Sequence, residues 1–298
     1  MHVFVTGGSG WIGSASVDQL LADGHTVTAL ARSDASASAL EAKGATVVRG
    51  DLDDLDVLRR GADAAEAVLH LANKHDFANP AATNAAERAA VQTLGDALAG
   101  SGRPFLVAAG IAGVVQGRPA TEADAAPFHG PDSPRGGSEN LALELVEKDV
   151  HAVALRFAPS VHGRRDHGFM AVLHDVARRT GVAAYPGDGT NAWAAVHRSD
   201  AARLVSLALS KAPAGARVHA TAEVGVPTRD IAEAIGGALG LPVASVPSEQ
   251  VIEHFGWIGG FFGQDLRATS TTTRQQLGWE PTGPVLLEDI AAGAYTAG

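Results

Sequence analysis

The chain has no cysteine, which excludes disulfides and thiolate metal sites. It also lacks any excess of basic residues. A formal net charge of −10 argues against a nucleic-acid surface and against anionic membranes, so a cation that binds phosphate must act locally. There is no basic leader, no apolar leader core and no long hydrophobic run, so neither a secretory segment nor a membrane span is expected, and a cytoplasmic location is. No fixed-period repeat or long low-complexity tract interrupts the chain. What remains is 298 residues, 46% hydrophobic and 19% charged, enough to bury a large core as one domain with a lobe or as two domains.

The most informative segment is Thr6-Gly7-Gly8-Ser9-Gly10-Trp11-Ile12-Gly13. A β-branched run precedes it, and from Trp11 to Leu21 apolar residues recur at helical spacing, so the glycines fall at a strand-to-helix turn. There Gly7 takes the tight turn, Gly10 lets backbone amides approach a pyrophosphate, and Gly13 lets the helix pack on the strand. The anion then sits at a helix N-terminus. Strands are expected near 2–6, 26–31, 46–49, 66–71, 104–109 and 152–157, each followed by a helical segment. That alternation predicts an α/β fold, a doubly wound parallel Rossmann sheet with its ligand outside the carboxyl ends of the strands. Beyond residue 160 the pattern is less regular. Residues 1–160, with a returning piece near 195–222, are read as the NAD(P)-binding domain, and 161–194 with 223–298 as a smaller substrate-binding lobe.

Cofactor choice is made at the end of the second strand, where an acidic residue suits the ribose hydroxyl of NAD and an arginine the 2′-phosphate of NADP. The chain has Ala31-Arg32-Ser33 there. Arg32 offers a permanently charged fork and Ser9 and Ser33 offer hydroxyls, so NADP(H) is expected in preference to NAD(H). The alternative is a solvated Arg32 beside a helix that Asp34 caps. Asp51-Leu52, after the third strand, frames the adenine or starts a helix; both readings stand.

Several stretches together resemble the extended short-chain dehydrogenase/reductase superfamily, also called the NAD-dependent epimerase/dehydratase family. They are the glycine loop, Gly50-Asp51-Leu52, His70-Leu71-Ala72, residues 155–163 (Leu-Arg-Phe-Ala-Pro-Ser-Val-His-Gly), residues 195–200 (Ala-Val-His-Arg-Ser-Asp) and residues 277–281 (Leu-Gly-Trp-Glu-Pro). The resemblance implies a Rossmann domain holding NAD(P), with Leu71, Ala72, Asn73, Pro159, Ser160 and Val161 along the cofactor, and a lobe over a small substrate. It also implies a Tyr, a Lys four residues later and a Ser or Thr after the fifth strand. Here those positions read Gly136, Asn140 and Ala108-Ala109-Gly110, so an atypical member without the Tyr-Lys pair is expected. The Asn140 amide keeps the ability to hydrogen-bond a ribose hydroxyl. Homodimers are common among relatives.

Replacement acid–base groups are sought at the strand ends. Lys74-His75-Asp76 follows the fourth strand; His75 titrates near neutrality, Asp76 is placed to tune it or to cap a turn, and Lys74 is placed to reach the ribose. His162 ends the sixth-strand run, in a chemical or a packing role. Gly110, His167, Trp193 and Trp257 are candidate pocket residues, the last within an aromatic, glycine-threaded segment that forms a lid, a core or a dimer contact. A metal at Asp166, His162 and His167 is not expected, because their spacing matches no ligand pattern. Three functions compete: an NADP(H)-dependent reductase of a small, hydrophobic carbonyl, enone or imine; a non-catalytic NADP(H) sensor or scaffold; and an isomerase or lyase that retains its cofactor.

Overall fold

A computed structural model describes residues 1–76 and 78–295. Its strands in chain order are β1 (His2–Thr6), β2 (Thr26–Ala31), β3 (Thr46–Arg49), β4 (Ala67–His70), β5 (Pro104–Gly110) and β6 (His151–Phe157). They continue as β7 (Ser160–His162), β8 (Ala183–Pro186), β9 (Ala192–His197), β10 (Arg217–Ala220), β11 (Glu223–Pro227) and β12 (Val243–Val246). The helices of the first half are α1 (Trp11–Ala22), α2 (Asp34–Glu41), α3 (Leu55–Asp63), α4 (Pro80–Leu98) and α5 (Ser138–Glu144). Those of the second are α6 (Phe169–Thr180), α7 (Arg198–Lys211), α8 (Thr228–Leu239), α9 (Val251–Phe255), α10 (Gly259–Phe262), α11 (Thr271–Leu277) and α12 (Leu286–Ala291).

Seven strands form one parallel sheet in the order β10-β6-β5-β4-β1-β2-β3. The order reverses between β1 and β4, the switch point at which such sheets bind ligands. Both faces are covered, which is why β1 and β4 read as apolar runs and not as alternations. Within β1, Val3 and Val5 join one core with Leu20, Val153 and Leu204, while Phe4 joins the other with Leu58, Leu94 and Phe105. The six strands expected in this sheet are all present, and β10 joins them from within the returning piece near 195–222.

Strands β7, β9 and β11 make a small second sheet and β8 with β12 a third. These short strands were not individually readable, since runs of three to six residues give few positions to establish a period. Alternation along β9 ties the parts together: Ala194 and Val196 belong to the core of the main sheet, whereas Trp193 and Ala195 belong to a third core with Ile231, Phe255, Phe262 and Leu286. No helix among the described residues is long and apolar enough to cross a membrane.

One buried ion pair fixes α5 against the sheet. Arg156 on β6 is fully buried and donates to both carboxylate oxygens of Glu139, at 3.0 and 2.6 Å. Arg217 reaches the same carboxylate at 3.2 Å. The His219 ring closes the set, since Nδ1 must donate to the Thr269 carbonyl at 2.8 Å, leaving Nε2 to accept from Arg156 at 3.3 Å.

Candidate functional site

The chain turns from β1 into α1 through Gly7, whose φ of 73° lies in the left-handed region, and the Gly10 amide donates to the Gly7 carbonyl at 3.0 Å. A Cβ on Gly13 would lie 2.0 Å from that carbonyl oxygen, so only glycine lets α1 start this close to the loop. Gly10 caps α1 with no side-chain hydrogen bond, which leaves the first-turn amides to an external acceptor. This cradle fits the pyrophosphate of a dinucleotide. Ser9 lies exposed at its rim, and Ile12 packs against the main core. Trp11 bridges to the second half of the chain: its Nε1 donates to the Val161 carbonyl at 2.7 Å, Arg198 stacks over the ring at 4.1 Å, and His167 meets its edge at 5.6 Å.

At the end of β2, Arg32 is exposed. The register pairs Ala31 with Arg49, which brings a second cation alongside. Arg49 donates to the Ser33 carbonyl at 2.7 Å and to Asp34 at 2.8 Å. Ser33, and not Asp34, caps α2: its Oγ accepts from the Ser36 amide at 3.2 Å and donates to the Ser36 hydroxyl at 3.0 Å, so it is spent within the helix start. Asp51 neither caps α3 nor stands free, because its Oδ1 accepts from the Asp53 amide at 2.8 Å. Leu52 turns into the core with Leu30 and Leu58, which leaves only its backbone for an adenine.

Below the ends of β1 and β4 lies a buried polar chain. The Thr6 hydroxyl meets His70 Nδ1 at 2.8 Å, and the amides of Leu71 and Ala72 donate to the Thr6 carbonyl and hydroxyl at 3.1 and 3.4 Å. Among the described residues Nε2 of His70 has no hydrogen-bond partner, and it faces Glu87 of α4 at 3.9 Å. Glu87 accepts from Asn73 at 2.9 Å and from Arg135 at 2.5 Å. Burial alone would raise the Glu87 pKa, but the Arg135 charge and the Asn73 hydrogen bond hold the carboxyl below its ordinary range. Burial keeps His70 below the usual imidazole range, hence neutral.

The three ionisable residues after β4 divide. Lys74 is bound to Asp53 at 2.6 Å, so it does not reach toward a ribose. Asp76 accepts from the amides of Ala78 and Asn79 and so organises the turn into α4. His75 is exposed and sits at φ 51°, its amide held by the Asn73 side chain at 2.8 Å; desolvation by the surrounding protein, and then the Arg135 charge, lower its pKa. Gly110, at the end of β5, is exposed, and a Cβ there would meet nothing.

One expectation is corrected at α5. Both hydrogens of the Asn140 amide serve loop carbonyls, those of Ala126 at 2.9 Å and Phe128 at 2.7 Å, so this group does not extend to a ribose. Gly136 is pressed against α4: a Cβ would lie 2.5 Å from the Asn84 carbonyl oxygen, and no side chain fits.

In the second half, His162 is fully buried with Nδ1 on Asp289 of α12 at 2.6 Å and its ring against His197 at 5.5 Å. Burial lowers its pKa despite Asp289. That is the setting of a packing residue, and we assign it no acid–base part. Trp193 is likewise core and not pocket, fully buried with Nε1 on the Phe261 carbonyl at 3.3 Å. Trp257 differs, being 45% exposed beside Phe169 at 5.7 Å and Phe261 at 6.3 Å. Ser160 is buried next to half-buried Pro159, its hydroxyl without a partner among the described residues. Asp166 accepts from Tyr295 at 3.0 Å and from the Gly168 amide at 2.6 Å. Among the described residues no group of three ligating side chains is placed to hold a metal.

Arg49, Glu87 and Arg135 are the polar residues that sequence reasoning missed. Arg49 carried a readable signal, its place at a strand end next to Arg32; the other two carried none.

A model of the NAD dependent epimerase/dehydratase family matches residues 3–221, and the chain belongs to that family. It is 42% identical over 297 residues to an uncharacterized protein of Schizosaccharomyces pombe, covering 99% of this chain and all of the relative. It is similar to the 2'-dehydrokanamycin reductase of Streptomyces kanamyceticus, 30% identical over 313 residues that cover 99% of this chain and 80% of that protein. Among solved structures, a dTDP-glucose 4,6-dehydratase from Streptomyces venezuelae with NAD bound superposes with a TM-score of 0.78 at 22% identity, over 99% of this chain and 96% of the other.

Proposed function

We propose that the chain is an NADP(H)-dependent reductase of a small carbonyl, enone or imine compound, working in the cytoplasm without a Tyr-Lys pair. The observation that carries it is the pair of arginines at the adenosine end. Arg32 and Arg49 stand on neighbouring strand ends in a chain of net charge −10, and they suit a 2′-phosphate. That phosphate marks the cofactor of reductive chemistry. Similarity to a protein named as a reductase supports the same direction.

When bound, the cofactor supplies hydride. The chain's own residues hold the pyrophosphate at the α1 N-terminus, fix the adenosine end with Arg32, and exclude water with the lobe that carries Phe169 and Trp257. We assign the passing of a proton to His75, just after β4. With its pKa lowered, the neutral ring relays a proton from water and does not store one as imidazolium.

The test has two parts. Fluorescence titration should give tighter binding of NADPH than NADH, and Arg32→Ala should weaken NADPH about 10-fold while NADH changes less than about 2-fold, as for loss of one charge-assisted contact. Carbonyl-dependent loss of NADPH absorbance should then follow with an apolar dicarbonyl such as phenanthrenequinone. Equal weakening of both nucleotides removes the phosphate argument; tight binding without turnover across a carbonyl panel removes the reductase.

A further inference from the structure

Residues 135 to 137 form a left-handed turn. Their φ angles are 55°, 61° and 66°, all in the region that L-residues avoid, and Arg135 has no glycine's freedom there. Such a conformation persists only where surrounding contacts impose it, and it is often found where a side chain is displayed for function. The contacts come from one stripe of α4. Asn84, Glu87 and Arg88, at helical spacings of three and four, face the turn together. Asn84 Oδ1 accepts from the Arg135 amide at 2.9 Å, Arg88 donates to the Gly136 carbonyl at 2.8 Å, and Glu87 takes the Arg135 guanidinium. The Ser138 hydroxyl closes the turn on the Arg135 carbonyl.

The turn therefore serves to place one guanidinium. Glu87 is buried, with 1% of its side chain exposed, whereas Arg135 is 34% exposed. The pair is thus a dipole with its positive end outward, beside the carboxyl end of β4. Arg135 Nε is buried without an acceptor among the described residues, and it is the exposed third of the side chain that an incoming ligand can reach. Glu87 is itself fixed from below through Asn73 and faces His70, which is bonded to Thr6 at the root of the glycine loop.

We propose that Arg135 holds the substrate's carbonyl oxygen, donating hydrogen bonds to it as negative charge develops there. The proposal rests on the reductase reading above. In the balanced step the carbonyl carbon takes the hydride pair from NADPH, which becomes NADP⁺, the C=O π pair moves onto oxygen, and water gives that oxygen a proton to complete the alcohol and leaves as hydroxide. A fixed cationic donor aimed at that oxygen stabilises the charge in the transition state. Glu87 is the positioning residue.

Benzamide, a carbonyl compound that resists hydride transfer, tests the contact without turnover. It is titrated into the protein–NADPH complex and followed by NADPH fluorescence, beside steady-state kinetics with phenanthrenequinone. Arg135→Ala should weaken benzamide about 10-fold and lower kcat about 100-fold, as expected on removing an oxyanion donor, with the NADPH Kd within about 2-fold. Added guanidinium should restore part of that kcat. Glu87→Gln, which keeps shape and loses charge, should give a smaller loss of benzamide affinity, about 3-fold, and no change in NADPH Kd. Unchanged benzamide binding in Arg135→Ala overturns the proposal, as does a loss of NADPH affinity equal to the loss of benzamide affinity in both variants. Arg135-dependent benzamide binding with no turnover of phenanthrenequinone or other carbonyls would sink the reductase reading and leave the oxygen site standing.

Discussion

The adenosine end of the sheet keeps its charges in water: Arg32 just after β2 and Arg49 at the end of β3 stand exposed, with Asp34 fully exposed beside them. The end under β4, β5 and β6 hides its charges: Glu87, Glu139 and Arg156 are buried and each is matched by a partner. Exposed charges cost little to keep and are free to select a ligand, but screening makes each weak. Buried charges are costly unless paired, and once paired they hold backbone segments in one geometry. The first end is suited to recognition and the second to positioning.

The sharpest way to break that contrast is Glu139→Ala. It strands Arg156 in the core and deprives Arg217 as well, so we expect a loss of about 3–5 kcal/mol in unfolding free energy, measured by urea denaturation. A loss below about 1 kcal/mol would place this pair with the surface ones.

Acid should attack the buried end next. Burial lowers the pKa of His174 to about 4, with the ring stacked on Tyr295 at 4.5 Å and Nδ1 donating to the Met170 carbonyl at 2.7 Å. The folded state keeps this imidazole neutral, whereas the unfolded chain protonates it near pH 6.5. Its contribution is complete above pH 6.5 and is lost as pH falls toward 4, by about 3 kcal/mol in all. His70, His162 and His219 shift in the same direction; Asp166 and Glu223, raised by burial, oppose them. Thermal melts should show Tm falling from pH 6.5 to 4.5, and His174→Gln should flatten the slope. A slope unchanged by that substitution would remove His174 as a source.

Between the two ends lies the glycine loop, and Gly13→Val should weaken NADPH about 100-fold by fluorescence titration, since its Cβ would sit 2.0 Å from the Gly7 carbonyl oxygen. This loop was legible in the sequence because strand, turn and helix are consecutive, and so were the strands of the main sheet. Arg32 was legible for the same reason, as a residue at a strand end. The positioning end was not. Glu87 and Arg135 are 48 residues apart, and His162 and Asp289 are 127 apart, so no local pattern joins them. Trp193 was misread because an aromatic residue near a strand end carries the same signal in a pocket as in a core; only the alternation of β9 between two cores separates the cases. Asn140 was misread similarly, since a side-chain amide serves loop carbonyls as readily as a ribose.

The smallest predicted effect tests the recognition end. Asp34 lies in the first turn of α2 and binds Arg49 at 2.8 Å, with side-chain exposures of 100% and 47%. An exposed pair of this kind contributes about 0–1 kcal/mol to folding, so Asp34→Asn should leave Tm nearly unchanged. For a 2′-phosphate, however, the substitution removes a repelling charge and frees one donor of Arg49. NADPH should bind about 2–3-fold tighter and NADH equally well, and the gain should shrink in about 0.5 M salt as screening shortens the reach of the exposed charges. Weaker NADPH binding in Asp34→Asn would mean that Asp34 holds Arg49 in its useful place, so that this end too works by positioning and its contrast with the buried end fails.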